Sequence, residues 1–214
     1  MSVNFSKWTI LPAAVLLLGT VAMAQDTSTS SAPNTTSTPA QQPTVGQRKE
    51  NQQDRIANGV KSGQLTAGET AHLESKEAAI NGETRADRAA NGGKLTSAEK
   101  QQINKQQNQV SKQIYNDKHN ANAAHYGNNE VGQRRENQQD RIAQGIKSGQ
   151  LTAGETAKLE NQQRGINQQV KADRQANGGK LTQAEKQQIN KEQNASSKNI
   201  YNKKHNANTQ HPKK

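Results

Sequence analysis

The string Lys61-Ser62-Gly63-Gln64-Leu65-Thr66-Ala67-Gly68-Glu69 recurs letter for letter at 147–155, and its reduced form Gly-x-Leu-Thr-x-x-Glu recurs at 93–99 and 179–185. Its chemistry is that of a helix stop followed by a helix start. Gly adopts the left-handed conformation that closes a helix. Thr followed three residues later by Glu forms a capping box, in which the hydroxyl accepts from the free N–H at Glu and the carboxylate reaches back to the N–H of Thr. The pairs Thr66 and Glu69, Thr96 and Glu99, Thr152 and Glu155, and Thr182 and Glu185 are therefore structural helix caps. Short turns of this kind make consecutive helices antiparallel neighbours.

The turns belong to a duplication. Val45 to Asn122 aligns without a gap on Val131 to Asn208 at an offset of 86, with 58 of 78 positions identical and 11 of the 20 differences lying between His72 and Ala89. Each copy predicts three helices: 46–60, 67–90 and 97–118, then 132–146, 153–176 and 183–204. The fold expected is all-α, a tandem repeat of two three-helix units, with repeat 1 at 45–122, a linker at 123–130, repeat 2 at 131–208 and a basic tail at 209–214. Counting outward from the turns places Ile56 and Val60 against Leu73, and Leu73 and Ile80 against Ile114 and Val110, with Leu65 and Tyr115 completing a small cluster. Leu73 and Ile80 are seven apart, as are Ile103 and Val110, so the apolar seam is narrow. In the second copy Val110 becomes Ser196 and Thr84 becomes Val170, which shifts the packing contact from one helix to the other. So thin a core implies dynamic helices, or stabilisation by a partner or by self-association.

Composition sharpens this picture. Hydrophobic residues make up 29% and aromatic residues 2% of the chain, and cysteine is absent, which excludes disulfides and thiolate metal sites. Met1 to Ala24 carries Lys7, an apolar run from Leu11 to Val21 and the small-x-small site Ala22-Met23-Ala24. It is a secretory signal peptide, cut before Gln25. A disordered Ser/Thr/Pro-rich linker follows at 25–44. No later stretch is apolar enough to span a bilayer, so no integral membrane segment is expected after signal cleavage, and the localisation expected is secreted or periplasmic.

Candidate chemistry is sparse. The loop resembles an EF-hand in placing Gly149, Leu151 and Glu155 at positions 6, 8 and 12. Positions 1, 3 and 5, where calcium needs carboxylates, are Gln144, Ile146 and Ser148, and in the first copy Asn58, Val60 and Ser62. The turn is a degenerate EF-hand at most, and no metal or other cofactor is expected. Tyr115 and His119, with Tyr201 and His205, stand one helical turn apart and are ligand candidates. Asp117 could add a third ligand, but Lys203 replaces it in the second copy, and a histidine near a helix C-terminus is also explained by the macrodipole. No nucleophile or acidic orienter accompanies these histidines, so an enzyme is not expected.

Charge is the more informative signal. The chain carries 29 Lys/Arg against 18 Asp/Glu, a net +11; repeat 1 holds 12 against 9 and repeat 2 holds 14 against 7. This favours polyanion binding through the second repeat, although acids interleave with bases along the helices and aromatic stacking residues are scarce.

The strings Arg-Ile-Ala-x-Gly-x-Lys-Ser-Gly-Gln-Leu-Thr-Ala-Gly-Glu, Ala-Asn-Gly-Gly-Lys-Leu-Thr-x-Ala-Glu and Ile-Tyr-Asn-x-Lys-His-Asn-Ala-Asn, present in both copies, resemble a group of uncharacterised secreted helical-repeat proteins of environmental bacteria, acidobacteria especially. The resemblance implies export and helical repeats, and no activity. The reading is a non-enzymatic helical-repeat protein acting through binding or assembly, with an unknown protein partner or self-association. The alternatives are binding to a polyanion or the cell envelope through the basic second repeat, and a degenerate calcium-responsive module.

Overall fold

The computed structural model describes residues 42–210. The signal peptide, nearly all of the Ser/Thr/Pro linker and the end of the basic tail lie outside the described residues. Within them the protein is all-α, with helices α1 (Val45–Lys61), α2 (Ala67–Ala90), α3 (Ser97–Lys118), α4 (Glu130–Lys147), α5 (Ala153–Ala176) and α6 (Gln183–Lys204).

Helices α2, α3, α5 and α6 begin and end where the turns place them. At Thr66 the hydroxyl accepts from Glu69 N at 3.3 Å while Thr66 N donates to Glu69 Oε2 at 2.9 Å. Thr96, Thr152 and Thr182 repeat the arrangement. Gly63 and Gly149 sit at φ of 72° and 69°, the left-handed conformation a side chain would disfavour. Leu65 N then donates to Gly59 O at 3.0 Å, tucking the leucine beneath the end of α1 so closely that a Cβ on Gly59 would lie 2.7 Å from its side chain. Replacing Thr66 or Thr152 by Ala is expected to cost about 1 kcal/mol at each cap, read as a lower thermal midpoint.

The starts of the repeats differ from the expectation. α1 opens at Val45 through a fifth capping box, Thr44 with Gln47. The counterpart of Thr44 in the second copy is Glu130, which has no hydroxyl to cap with, so α4 starts at Glu130 behind Asn129, whose side chain accepts from Gly132 N at 3.1 Å.

Ile56, Val60, Leu65, Leu73, Ile80, Val110 and Ile114 are buried as expected, but one cluster unites them with Ile142, Ile146, Leu151, Leu159 and Ile200 of the second copy. α2 packs on α5 and α1 on α4. A Cβ on Gly68 would approach the Arg164 side chain at 3.4 Å, and one on Gly154 would approach Ala78 at 4.0 Å. These are the same contact seen from either copy, so α2 and α5 run antiparallel about a pseudo-two-fold. The burial that a single three-helix unit lacks is supplied by the other unit. A satellite cluster of Val131, Ile166, Val170 and Ile189 belongs to the second copy alone. There Val170 is packed, and Ser196 is buried as acceptor from Gln163 Nε2 at 2.7 Å.

Tyr115 does not join the core. It is 58% exposed, and Tyr201 is 57% exposed. Ile114 occupies the buried stripe of α3, and the next residue is turned about 100° around the helix, out of the seam.

Glutamines do structural work. Gln107 Nε2 donates to Val45 O at 2.9 Å and Gln52 Nε2 to Gln107 O at 2.7 Å, so two buried amides strap α1 to α3. Gln193 and Gln138 strap α4 to α6 with the same bonds.

Candidate functional site

The cap residues are fully engaged in the fold. Glu69 gives one oxygen to Thr66 and accepts on the other from Asn120 and Asn122 at 2.8 and 3.0 Å, and Glu155 does likewise with Asn206 and Asn208 at 2.6 and 3.4 Å. Burial works to raise these two carboxyls, but the hydrogen bonds outweigh it and hold them below the ordinary range. This explains the Asn-Ala-Asn of the shared tail, which locks the end of the third helix of a repeat onto the start of the second. Asn91 and Asn177 bond Glu99 and Glu185 in the same way at 2.7 and 2.8 Å.

The Tyr–His pairs come together at the ends of α3 and α6. The rings of Tyr115 and His119 stack with centroids 4.2 Å apart, and those of Tyr201 and His205 at 4.1 Å. Each histidine is the C-cap residue, with Nδ1 2.7 Å from the tyrosine carbonyl oxygen, so the pair finishes a helix. Among the described residues no group of three His, Cys, Asp or Glu is placed to hold a metal.

Two clefts related by the pseudo-two-fold lie where one repeat meets the other. The first, of ≈ 1150 Å³, is walled by Lys49, Glu50, Arg85 and Arg88 together with the start of α5 at Thr152 to Gly154. The second, of ≈ 860 Å³, is walled by the corresponding Arg135, Lys171 and Arg174, by Arg164, and by the start of α2 at Thr66 to Gly68. Three of these four cations are shared by position, because 49, 85 and 88 are 86 residues before 135, 171 and 174. Arg164 has no such counterpart, because the corresponding residue in the first copy is Ala78. Among the described residues no Asp or Glu lines the second cleft.

The buried acids divide the two clefts further. Glu77 of α2 is fully buried, and its carboxyl is pushed up to about 7 by burial, with the cation of Lys49 working against that shift. Burial likewise lowers Lys49. The counterpart of Glu77 is Gln163, neutral, with its Nε2 bonded to Gln138 Oε1 and Ser196 Oγ at 3.1 and 2.7 Å. The first cleft thus has an acid within the field of its lysine, whereas the groups that act on the corresponding Arg135 are Tyr126 and Arg174. Deeper still, Glu74 and Glu160 are both fully buried, pushed up to about 8 chiefly by burial, with Gln53 and Gln139 donating to them at 3.0 and 2.9 Å. Neither lines a cleft.

The linker closes the second cleft. Ala124 N donates to Gly63 O at 2.8 Å, which holds the 123–126 segment against the first turn. The half-buried Tyr126 ring lies over Arg135, with the guanidinium carbon 5.4 Å from the ring centroid. Burial raises the Tyr126 hydroxyl above its ordinary value and lowers that of Arg135. Sequence reading did not single out Arg135, Arg164 or Tyr126. The available signal was the concentration of differences between copies at 72–89, which includes Glu77 to Gln163 and Ala78 to Arg164.

Comparison with known protein families, with functionally described proteins and with solved structures returned no match.

Proposed function

We propose that the chain is an exported, non-enzymatic binding protein that engages a polyanionic partner through the cationic cleft of its second repeat. The observation that carries this reading is the wall of Arg135, Arg164, Lys171 and Arg174 with no acid among its described lining residues. The duplicated counterpart includes Glu50 in its wall and has Glu77 buried close to Lys49. Guanidinium groups suit carboxylate, sulfate and phosphate through their planar fork of donors. Export rests on the apolar N-terminal segment and its Ala-Met-Ala site.

Heparin retention of the whole mature chain tests the reading. The triple variant Arg164→Gln, Lys171→Gln, Arg174→Gln is expected to elute at clearly lower salt, with the slope of log affinity against log salt reduced by up to about three. The matching triple in the first cleft, Lys49→Gln, Arg85→Gln, Arg88→Gln, should change it less. Equal effects would remove the second cleft as the site.

A second reading, a protein partner, is favoured by Tyr115 and Tyr201, large hydrophobic residues that are exposed among the described residues, each stacked on a histidine. Tyrosine is a residue that interfaces enrich.

A further inference from the structure

We propose that the second cleft binds an acidic oligosaccharide, a chain of uronate units, with a carboxylate held by Arg135 and Arg174 and the sugar hydroxyls held by the side-chain amides around them. This rests on the polyanion reading and names the ligand class for the same cleft.

Three features of the wall select a sugar. Gln139, Asn167, Gln168 and Gln175 line the cleft, and amides carry both donors and acceptors, which is what a hydroxylated ligand needs and what a bare phosphate chain does not use. Part of that capacity is unused within the protein. Arg135 Nε, Gln139 Oε1 and Asn167 Oδ1 have no hydrogen-bond partner and lie just beneath the cleft surface, so a ligand engages them only when these side chains turn outward. A buried polar group left so is costly unless water or a ligand completes it. Tyr126 supplies a single aromatic ring beside the cations, whereas recognition of single-stranded nucleic acid rests on successive stacking platforms.

Arg135 is the anchor. Tyr126 covers one face of its guanidinium, the neutral Gln163 stands where the first copy has Glu77, and Arg174 shares its field. A carboxylate there would meet cations with no acid in the cleft wall itself, the nearby Glu160, Asp140 and Glu136 lying behind it, and the charge-assisted bonds it could form are the strong ones. In the first cleft Glu77 already lies within the field of Lys49. The cleft of ≈ 860 Å³ lies in the range of small-ligand sites.

Calorimetric titration of the mature chain at physiological salt with a galacturonate oligomer, against a neutral galactose oligomer of equal length, tests the proposal. Binding of the acidic oligomer alone is expected. Arg135→Gln should weaken it by about tenfold or more, as loss of a charge-assisted hydrogen bond predicts. Gln163→Glu, which restores the acid of the first copy, should weaken it similarly, while Lys49→Gln should leave it unchanged. If Arg135→Gln fails to fold by circular dichroism, the rim variant Lys171→Gln, Arg174→Gln takes its place with the same expectation. Heparin retention without galacturonate binding overturns this proposal and leaves the polyanion reading standing, and loss of both overturns both. Galacturonate binding that ignores the Arg135, Gln163 and rim changes overturns the site, and equal binding of the neutral oligomer overturns the carboxylate anchor.

Discussion

Raising the pH from about 5 to about 9 is expected to lower the melting temperature by on the order of 20 °C, and the double variant Glu74→Gln, Glu160→Gln should lose most of that dependence. Both carboxyls are raised from the ordinary 4.5 to about 8 by burial. Between those values the folded protein keeps protons that the unfolded chain has released. The stability they contribute is therefore present in full below pH 4.5, falls through the window at up to about 1.4 kcal/mol per unit for each group, and is gone above about 8. Glu77 and Glu160 add to the cost of ionising Glu74, and Lys49 opposes it. Gln is shaped like the protonated acid and keeps the acceptor that Gln53 and Gln139 bond, so the variant should hold its fold at high pH. Scanning calorimetry at both pH values decides it, and an equal fall in the variant would show that other groups carry the dependence.

The largest single-site loss is expected from Leu159→Ala, at about 2 to 5 kcal/mol or a fall of roughly 5 to 15 °C in melting temperature. Leu159 is 1% exposed and Leu73 is 0% exposed, both within the cluster that spans the two copies. Because that core is shared, the damage should not stay in repeat 2. Hydrogen exchange of amides in α1 to α3 should quicken along with those in α4 to α6, within one cooperative transition. Two separate transitions, or wild-type protection of α1 to α3, would mean the copies fold independently.

The turns were legible because they are local chemistry. Gly63, Thr66 and Glu69 specify a stop, a cap and a reciprocal hydrogen bond without reference to the rest of the chain, and four helices begin and end where that chemistry puts them. The pairing of the copies was not legible, because the α2 face turned toward α5 carries Glu74 beside Leu73 and so reads as polar in sequence. Gln52, Gln107, Gln138 and Gln193 were misleading for a related reason. An amide-rich composition suggests weak folding, whereas these side chains are buried and donate to backbone carbonyls of the neighbouring helix, tying one helix to the next. The second cleft needed three dimensions. Its wall draws on the start of α2, the linker, α4 and α5, and no local string brings those together.

The linker has a consequence for how the pseudo-two-fold arises. An interface in which each half presents the same patch to the other is the kind that joins identical subunits. Here residues 123–130 tether the halves, and Ala124 is fastened to Gly63 at 2.8 Å, so the span left to cross is short. A short tether sets an effective concentration of one half for the other near the millimolar range. Pairing becomes a property of each chain by itself and is indifferent to dilution. Once tethered, the halves no longer have to remain identical, and they differ where Glu77 and Ala78 of the first stand against Gln163 and Arg164 of the second.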